Sequence, residues 1–344
     1  MILKEVWTSL VKWCSRLSNI CQKKILTPSR MSTLGPWLFL LEMYCLCYIG
    51  TSEIIPTLWN RYGSTLVHMN QVFTWFLGVE IFLNWLCVRY VTSSYKSEAA
   101  QIQLLKRDDG HTQQYTDYTV SFVEENSLRH RKPSEQNQSK SKSKGYFTWS
   151  TCKSCKEVRP ARCHHCSICK TCILARDHHC FFSGNCVGYK NLRHFFVFLF
   201  YSMYATVYAF IHASTYYYQE LWPRTYALEI LPFVTFAMNI FGHSDYHTGV
   251  LILVWWALGI FFAIGAFQFI DLVLEIPEGV TSYEFSSGIE LDDSRSLFEK
   301  IRAVFGEYWL LNFLVPVHFI FPPVVDPINW PTISGIKRAP EEFL

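Results

Sequence analysis

The sequence predicts an all-α polytopic membrane protein: four transmembrane helices, with a compact cysteine-rich cytosolic domain between the second and the third. Three observations carry that expectation. Half of the 344 residues are hydrophobic and only 17% are charged, against about a quarter charged in ordinary soluble domains. The apolar residues fall in blocks, four of which reach the roughly 20 residues that a bilayer-crossing helix needs. Charged residues concentrate between and outside the blocks. A formal net charge of +3 is too small to point to nucleic acid as a partner.

The elements follow in chain order. Residues 1–35 form a cytosolic N-terminal segment: Lys4, Lys12, Arg16, Lys23, Lys24 and Arg30 face a single acid, Glu5, and positive residues beside a span stay inside. This segment has no continuous apolar core, unlike a cleaved signal peptide. Residues 36–91 hold helices 1 and 2, with apolar blocks at roughly 36–58 and 72–91. The loop between them carries only Arg61. Glu80 is an acid inside the second block, a position that marks a functional candidate by default. Residues 92–147 are a polar cytosolic linker, and SEQNQSKSKSK at 134–144 is a low-complexity tether with nothing to bury. Residues 148–193 are the cysteine-rich domain. Residues 194–275 hold helices 3 and 4, with blocks at about 195–218 and 249–274. Between these, 226–241 is apolar but short and interrupted by Glu229 and Pro232; it reads as a lumenal segment, interfacial or re-entrant. Residues 276–344 form the cytosolic C-terminal region, in which 297–321 is expected to lie on the membrane or pack on the spans.

The chemistry is concentrated in CKSCKEVRPARCHHCSICKTCILARDHHCFFSGNC, residues 152–186, which hold eight cysteines and four histidines. Cytosolic thiols stay reduced, so a disulfide framework is not expected. Repeated Cys-x-x-Cys pairs beside histidines are instead the signature of tetrahedral zinc, each pair gripping one ion at Zn–S distances of about 2.3 Å. The twelve candidate donors are Cys152, Cys155, Cys163, His164, His165, Cys166, Cys169, Cys172, His178, His179, Cys180 and Cys186. Two closed sites use eight, and spacing alone does not say which four remain. Asp177-His178-His179-Cys180 offers a thiol, an imidazole and a carboxylate within four residues, the groups that nucleophilic sulfur chemistry requires. On the residues alone, two readings stay open: a catalytic cysteine held by a zinc scaffold, or a purely structural double-zinc module.

The run resembles the DHHC cysteine-rich-domain protein S-acyltransferases, or palmitoyltransferases. The similar positions are Cys152-x2-Cys155, Arg159-Pro160-x-Arg162, His164-His165-Cys166-x2-Cys169-x2-Cys172, Asp177-His178-His179-Cys180, Asn185-Cys186-Val187-Gly188, and Asn191 followed by Phe195. Thr281-Ser282-Tyr283-Glu284 resembles the family's Thr-Thr-x-Glu motif with a conservative serine, and the segment from Phe305-Gly306 to Asn312 resembles its aromatic C-terminal stretch loosely. The resemblance implies two structural zinc ions, one on Cys152, Cys155, His165 and Cys172, the other on Cys166, Cys169, His179 and Cys186. It leaves Cys180 as nucleophile, His178 as its proton acceptor and donor, and Asp177 as the orienting carboxylate. Cys163 and His164 are then packing residues. It further implies long-chain acyl-CoA (palmitoyl-CoA) as co-substrate and an acyl-Cys180 intermediate. It also implies substrate proteins with membrane-proximal cysteines, contact with membrane lipid, and an endomembrane location in Golgi or endoplasmic reticulum with the active site cytosolic. Lys190 and Arg193 stand at the depth expected for the CoA phosphates. One departure is plain: Phe181-Phe182 replace the family's Pro-Trp after the reactive cysteine, which bears on acyl-chain preference rather than on the class of reaction.

Overall fold

The computed structural model describes residues 27–96, 149–225, 227–314, 328, 330 and 333–337. The basic N-terminal cluster up to Lys24, the tether at 134–144 and most of the linker lie outside the described residues. Four helices are long and apolar enough to cross a membrane: α1 (Pro28–Tyr62), α2 (Ser64–Tyr90), α3 (Leu192–Arg224) and α5 (Tyr246–Glu278). A multi-pass membrane protein follows. Helix α1 begins eight residues before the expected boundary at 36. Thr27 caps it by accepting the Arg30 N–H, and Pro28 occupies the first turn, where its missing N–H costs nothing. Pro36 therefore lies inside the helix. Farther along, Pro56 cannot donate to the turn before it, and α1 widens into a π turn at Gly50–Ile54. The Gln71 side chain of α2 donates to the Thr51 carbonyl there, at 2.8 Å.

The core runs along α2, α3 and α5 at the end of the bundle beside the cysteine-rich domain: Leu77, Ile81, Trp85 and Val88 meet Phe195, Val197, Phe198 and Tyr201, and Leu272 and Ile276 close the third wall. A second cluster at the opposite end joins Ile54 and Leu58 to Ala213, Tyr216, Leu251 and Leu258. Between α1, α2, α3 and α5 runs an apolar cavity with an empty volume of about 1340 Å³.

The cysteine-rich domain is built from three small antiparallel hairpins: β1 (Ser150–Thr151) with β2 (Val158–Arg159), β3 (Cys163–Cys166) with β4 (Thr171–Leu174), and β5 (His179–Cys180) with β6 (Asn185–Cys186). It docks on the last turn of α2, whose carbonyls have no intrahelical partners. Asn185 Nδ2 donates to Val88 and Arg89, and Asn191 Nδ2 to Val88 and Val91, at 3.0–3.1 Å.

Between α3 and α5 lies α4 (Pro232–Ile240), the structured part of the apolar 226–241 segment. After α5, the short α6 (Ser282–Ser286) and α7 (Leu297–Phe305) each open on a capping box, Thr281 with Glu284 and Ser296 with Glu299. Ile301, Val304 and Phe305 of α7 pack on the membrane core, so this helix is held by the spans. Strands β7 (Ile289–Asp293) and β8 (Ile333–Lys337) pair antiparallel.

Candidate active site and metal centres

The β3–β4 hairpin sorts the ligands by the period-two alternation of a strand. His165 stands directly across from Cys172, while the next residue, Cys166, points to the other face. Two of the Cys-x-x-Cys pairs form the same turn, in which the second cysteine's N–H donates to the first sulfur: Cys155 to Cys152 and Cys169 to Cys166, both at 3.4 Å. The structure thereby gathers two groups, Cys152, Cys155, His165 and Cys172, and Cys166, Cys169, His179 and Cys186, each with its ligand atoms within 4.8 Å of one another. The spacing suits a small tetrahedral ion. Zn–S bonds of about 2.3 Å put two sulfurs roughly 3.8 Å apart; Cys155 and Cys172 are 3.8 Å apart, and Cys169 and Cys186 are 3.6 Å apart. His165 Nδ1 lies 3.3 Å from Cys155 Sγ, and His179 Nδ1 lies 3.3 Å from Cys169 Sγ. Both groups could hold a zinc ion, and the soft sulfur-rich donor set favours one.

Cys180 belongs to neither group. On β5, His179 pairs with Cys186 and Cys180 with Asn185, so the alternation that sends His179 to the metal group turns Cys180 away from it. The Cys180 side chain packs into the membrane-side core with Val187 and Phe195 and is 5% exposed. His178 precedes the strand. Its Nδ1 lies 2.7 Å from Asp177 Oδ2, and since a carboxylate only accepts, Nδ1 carries the proton. Its Nε2 is buried without a hydrogen-bond partner, and its ring stacks edge-on against Phe195 with centroids 4.9 Å apart. Burial works against charge on both groups, and their partners overcome it. Asp177 and the Cys180 sulfur hold the His178 imidazole above its ordinary range. The imidazole, helped by Ser183, holds the Cys180 thiol below its own.

Residues to which the sequence assigns no role at the site support this arrangement. Asp177 accepts from the Ser282 N–H at 2.8 Å and from the Ser282 hydroxyl at 3.2 Å; the hydroxyl also lies 2.8 Å from Glu275 Oε2. The serine that departs from the family's threonine therefore touches the catalytic candidates directly, through the one group the two residues share. Two residues on, Glu284 accepts two bonds from Arg162 at 2.7 Å, in the turn just before the β3 ligands. The side chains are 5% and 1% exposed. The end of α5 is thus tied to both halves of the domain. Helix α1 holds the other side. Ser32 Oγ lies 3.1 Å from His179 Nε2. Gly35 packs so closely on the Phe181 carbonyl that a Cβ there would overlap it. Gly184 sits at φ 65°, where a Cβ would come 2.6 Å from the Ser32 carbonyl. Trp85 and Arg89 of α2 donate to the carbonyls of Phe182 and Ser183 at 3.0 and 2.6 Å.

The remaining candidates separate. Lys190 is partly exposed. Arg193 is 1% exposed, with its Nε 3.4 Å from His194 Nε2. Cys163 packs with Cys152, Cys172 and Leu174, and the His164 ring lies 4.2 Å from that of Tyr283. Glu80 is buried with Oε2 unpartnered. The apolar cavity reaches the site through Phe182, two residues past Cys180, and Phe195, which lies against the His178 ring.

The family model for DHHC palmitoyltransferase matches residues 146–289, which covers the cysteine-rich domain, α3 to α6 and the start of β7. A Dictyostelium discoideum protein provisionally named ZDHHC-type palmitoyltransferase 4 is 51% identical over 65 residues, 19% of this chain and 18% of that protein. The chain thus aligns with less than a fifth of the length of that relative. The match at residues 146–289 is to a DHHC palmitoyltransferase domain, and the four membrane-competent helices and the two cysteine-histidine groups between α2 and α3 agree with it.

Proposed function

We propose that this protein is a protein-cysteine S-palmitoyltransferase that moves a long-chain acyl group from acyl-CoA, through an acyl-Cys180 intermediate, to cysteines of substrate proteins at the membrane surface. One observation carries the reading. Cys180 lies on the strand face opposite the metal group, beside the His178–Asp177 pair, and packs in one cluster with Phe182 and Phe195, which line an apolar cavity between membrane helices.

In the first step the Cys180 thiolate adds to the thioester carbonyl. The C–S bond to CoA breaks, and the CoA sulfur takes the proton that His178 accepted from Cys180. In the second, a substrate cysteine gives its proton to His178 and attacks the acyl-Cys180 carbonyl, which releases Cys180. A thioester is exchanged for a thioester in both, so no ATP is consumed, and the kinetics are ping-pong. Asp177 holds the imidazole so that Nε2 faces the sulfur, and Ser282 holds Asp177. Zinc on the two groups supplies order to hairpins too short to hold themselves. Its ligands would be Cys152, Cys155, His165 and Cys172, and Cys166, Cys169, His179 and Cys186. The acyl chain lies in the apolar cavity, where each buried methylene contributes roughly 0.8 kcal/mol. Lys190 and Arg193, at the start of α3, attract the CoA phosphates. The basic N-terminal segment sets the site on the cytosolic face of an endomembrane, Golgi or endoplasmic reticulum.

Purified protein incubated with labelled palmitoyl-CoA tests the reading. Label is expected on the wild type, to be released by hydroxylamine, and to be lost in Cys180→Ser. Label that survives hydroxylamine, or that persists in Cys180→Ser, refutes it in favour of a zinc scaffold without chemistry.

A further inference from the structure

The segment between α3 and α5 has no part in the proposed reaction, yet it carries a dense apolar surface. On α4, Phe233, Phe236 and Ile240 recur at spacings of three and four, the period of one helix face. With Leu228 and Phe241 beside them they form a stripe whose members are 60–73% exposed. The opposite face is occupied: Thr235 is fully buried, and α4 packs along α5. Over 227–241 the only ionisable side chain is Glu229, which is buried and receives the Ser244 hydroxyl.

The depth of this segment can be read from α5. At its start, the His247 ring lies 2.9 Å from Glu53 Oε2, and the Tyr216 hydroxyl donates to Glu53 Oε1 at 2.6 Å. This polar layer joins α1, α3 and α5 at the end of the bundle away from the cysteine-rich domain. Trp256 lies nine residues farther along α5, a rise of about 13 Å, within the run VLILVWWALGIFF. Its indole N–H donates to the Ile230 carbonyl at 2.6 Å, while Asn239, at the other end of α4, lies against Gly249. The chain thus descends alongside α5 to the level reached by Trp256 and climbs back through α4. Backbone outside a regular helix is tolerated at that depth only where its carbonyls are satisfied by protein. That condition is met here: Trp256 serves Ile230, and the Thr235 hydroxyl serves Glu229 and Leu231. Leu253, Trp256 and Ile260 of α5 are exposed apolar side chains as well.

We infer that residues 227–241 form a re-entrant segment whose Leu228, Phe233, Phe236, Ile240 and Phe241 stripe docks into the acyl region of the leaflet opposite the cysteine-rich domain. The occupant of the face is lipid. This rests on the membrane-spanning helices alone and stands whether or not Cys180 carries an acyl group. Ile230 also packs into the cluster of Ile54, Ala213 and Leu258, three residues that line the far end of the cavity, so the segment closes the bundle beneath it.

The test uses the full chain in nanodiscs of phosphatidylcholine, with the photo-reactive residue p-benzoylphenylalanine placed singly at Phe236, at Phe267 on the exposed face of α5, and at Val158 in the cysteine-rich domain. These positions are all exposed, so the probe adds no bulk to a packed interior. After irradiation, lipid adducts are counted by mass spectrometry. The yield at 236 is expected within about twofold of that at 267 and at least about tenfold above that at 158, since only immersed side chains meet acyl chains. A yield at 236 as low as at 158 overturns the inference. So does capture of a second copy of the chain or of an added lumenal protein in place of lipid.

Discussion

The contact between Arg162 and Glu284 lends itself to a quantitative test, because 122 residues separate the partners and water is excluded from both. Glu284 accepts Arg162 Nε and Nη2 at 2.7 Å and the Thr281 N–H at 3.0 Å. Arg162 has in addition the Gly279 carbonyl at 2.9 Å and the face of Trp330 at 4.6 Å. Glu284→Met removes the carboxylate paired with a guanidinium that is 5% exposed. Leaving one charge of a buried pair without its partner costs about 3–5 kcal/mol. At 1.4 kcal/mol per factor of ten, that is roughly a hundredfold to several thousandfold in the equilibrium that holds the cysteine-rich domain against α6. Arg162→Met strands the carboxylate instead and should cost a similar amount. The double variant removes both charges, and apolar replacement of a buried pair is often close to neutral. Hydrogen exchange of the β3–β4 and α6 amides in detergent-solubilised protein reads this local opening. Protection should fall steeply in each single variant and return most of the way in the double. If each single variant changes exchange by less than about 1 kcal/mol, or if the double loses the sum of the two, the pair does not join the domain to the membrane helices.

The other consequences concern the site itself. Cys180→Ala is expected to retain two zinc ions per chain by metal analysis, while Cys152→Ala loses one and destabilises the domain; loss of zinc from Cys180→Ala contradicts the ligand assignment. Ser282→Ala removes a hydrogen bond to a charged acceptor, about 1.5–3 kcal/mol, and should slow acyl-enzyme formation by roughly tenfold to a hundredfold, while Ser282→Thr restores the rate; equal loss in both denies the hydroxyl its role. Ser32→Ala should speed removal of one of the two zinc ions by a chelator, since outer-shell partners of a ligand histidine are worth about 10–100-fold in metal affinity, with Ser32→Thr as the rescuing control and unchanged release as the refuting result. Gly35→Ala places a methyl group on the Phe181 carbonyl and should lower thermal stability, by about 1–3 kcal/mol if it behaves as other overpacked sites do.

Much of this protein is decided locally and can be read from the chain alone. A bilayer has one thickness, so four apolar runs of sufficient length declare four membrane helices wherever they pack. The two Cys-x-x-Cys turns close over two residues, and the alternation of a strand sends neighbours such as His165 and Cys166, or His179 and Cys180, to opposite faces. The boundary of α1 shows the limit of such reading: the apolar run begins near Pro36, but Thr27 and Pro28 carry the cap, and a proline eight residues inside a helix does not mark its start. Arg193 shows another. The chain places a cation at the start of α3, but that its side chain is only 1% exposed is set by packing.

What only the tertiary structure decided is how distant segments meet around Cys180. Ser282 reaches Asp177 across 105 residues, Glu284 reaches Arg162 across 122, and Ser32 reaches His179 across 147. Serine, glutamate and arginine at those positions have no periodicity that distinguishes them from solvated surface residues. Their partners are set by the packing of α1, α2 and α5 against one another, which no local spacing encodes. The sequence by itself determined the kinds of groups present and the span of chain that holds them. The close packing of the helix ends against the hairpins determined which of those groups face one another, because a contact between remote residues exists only once the chain between them has folded.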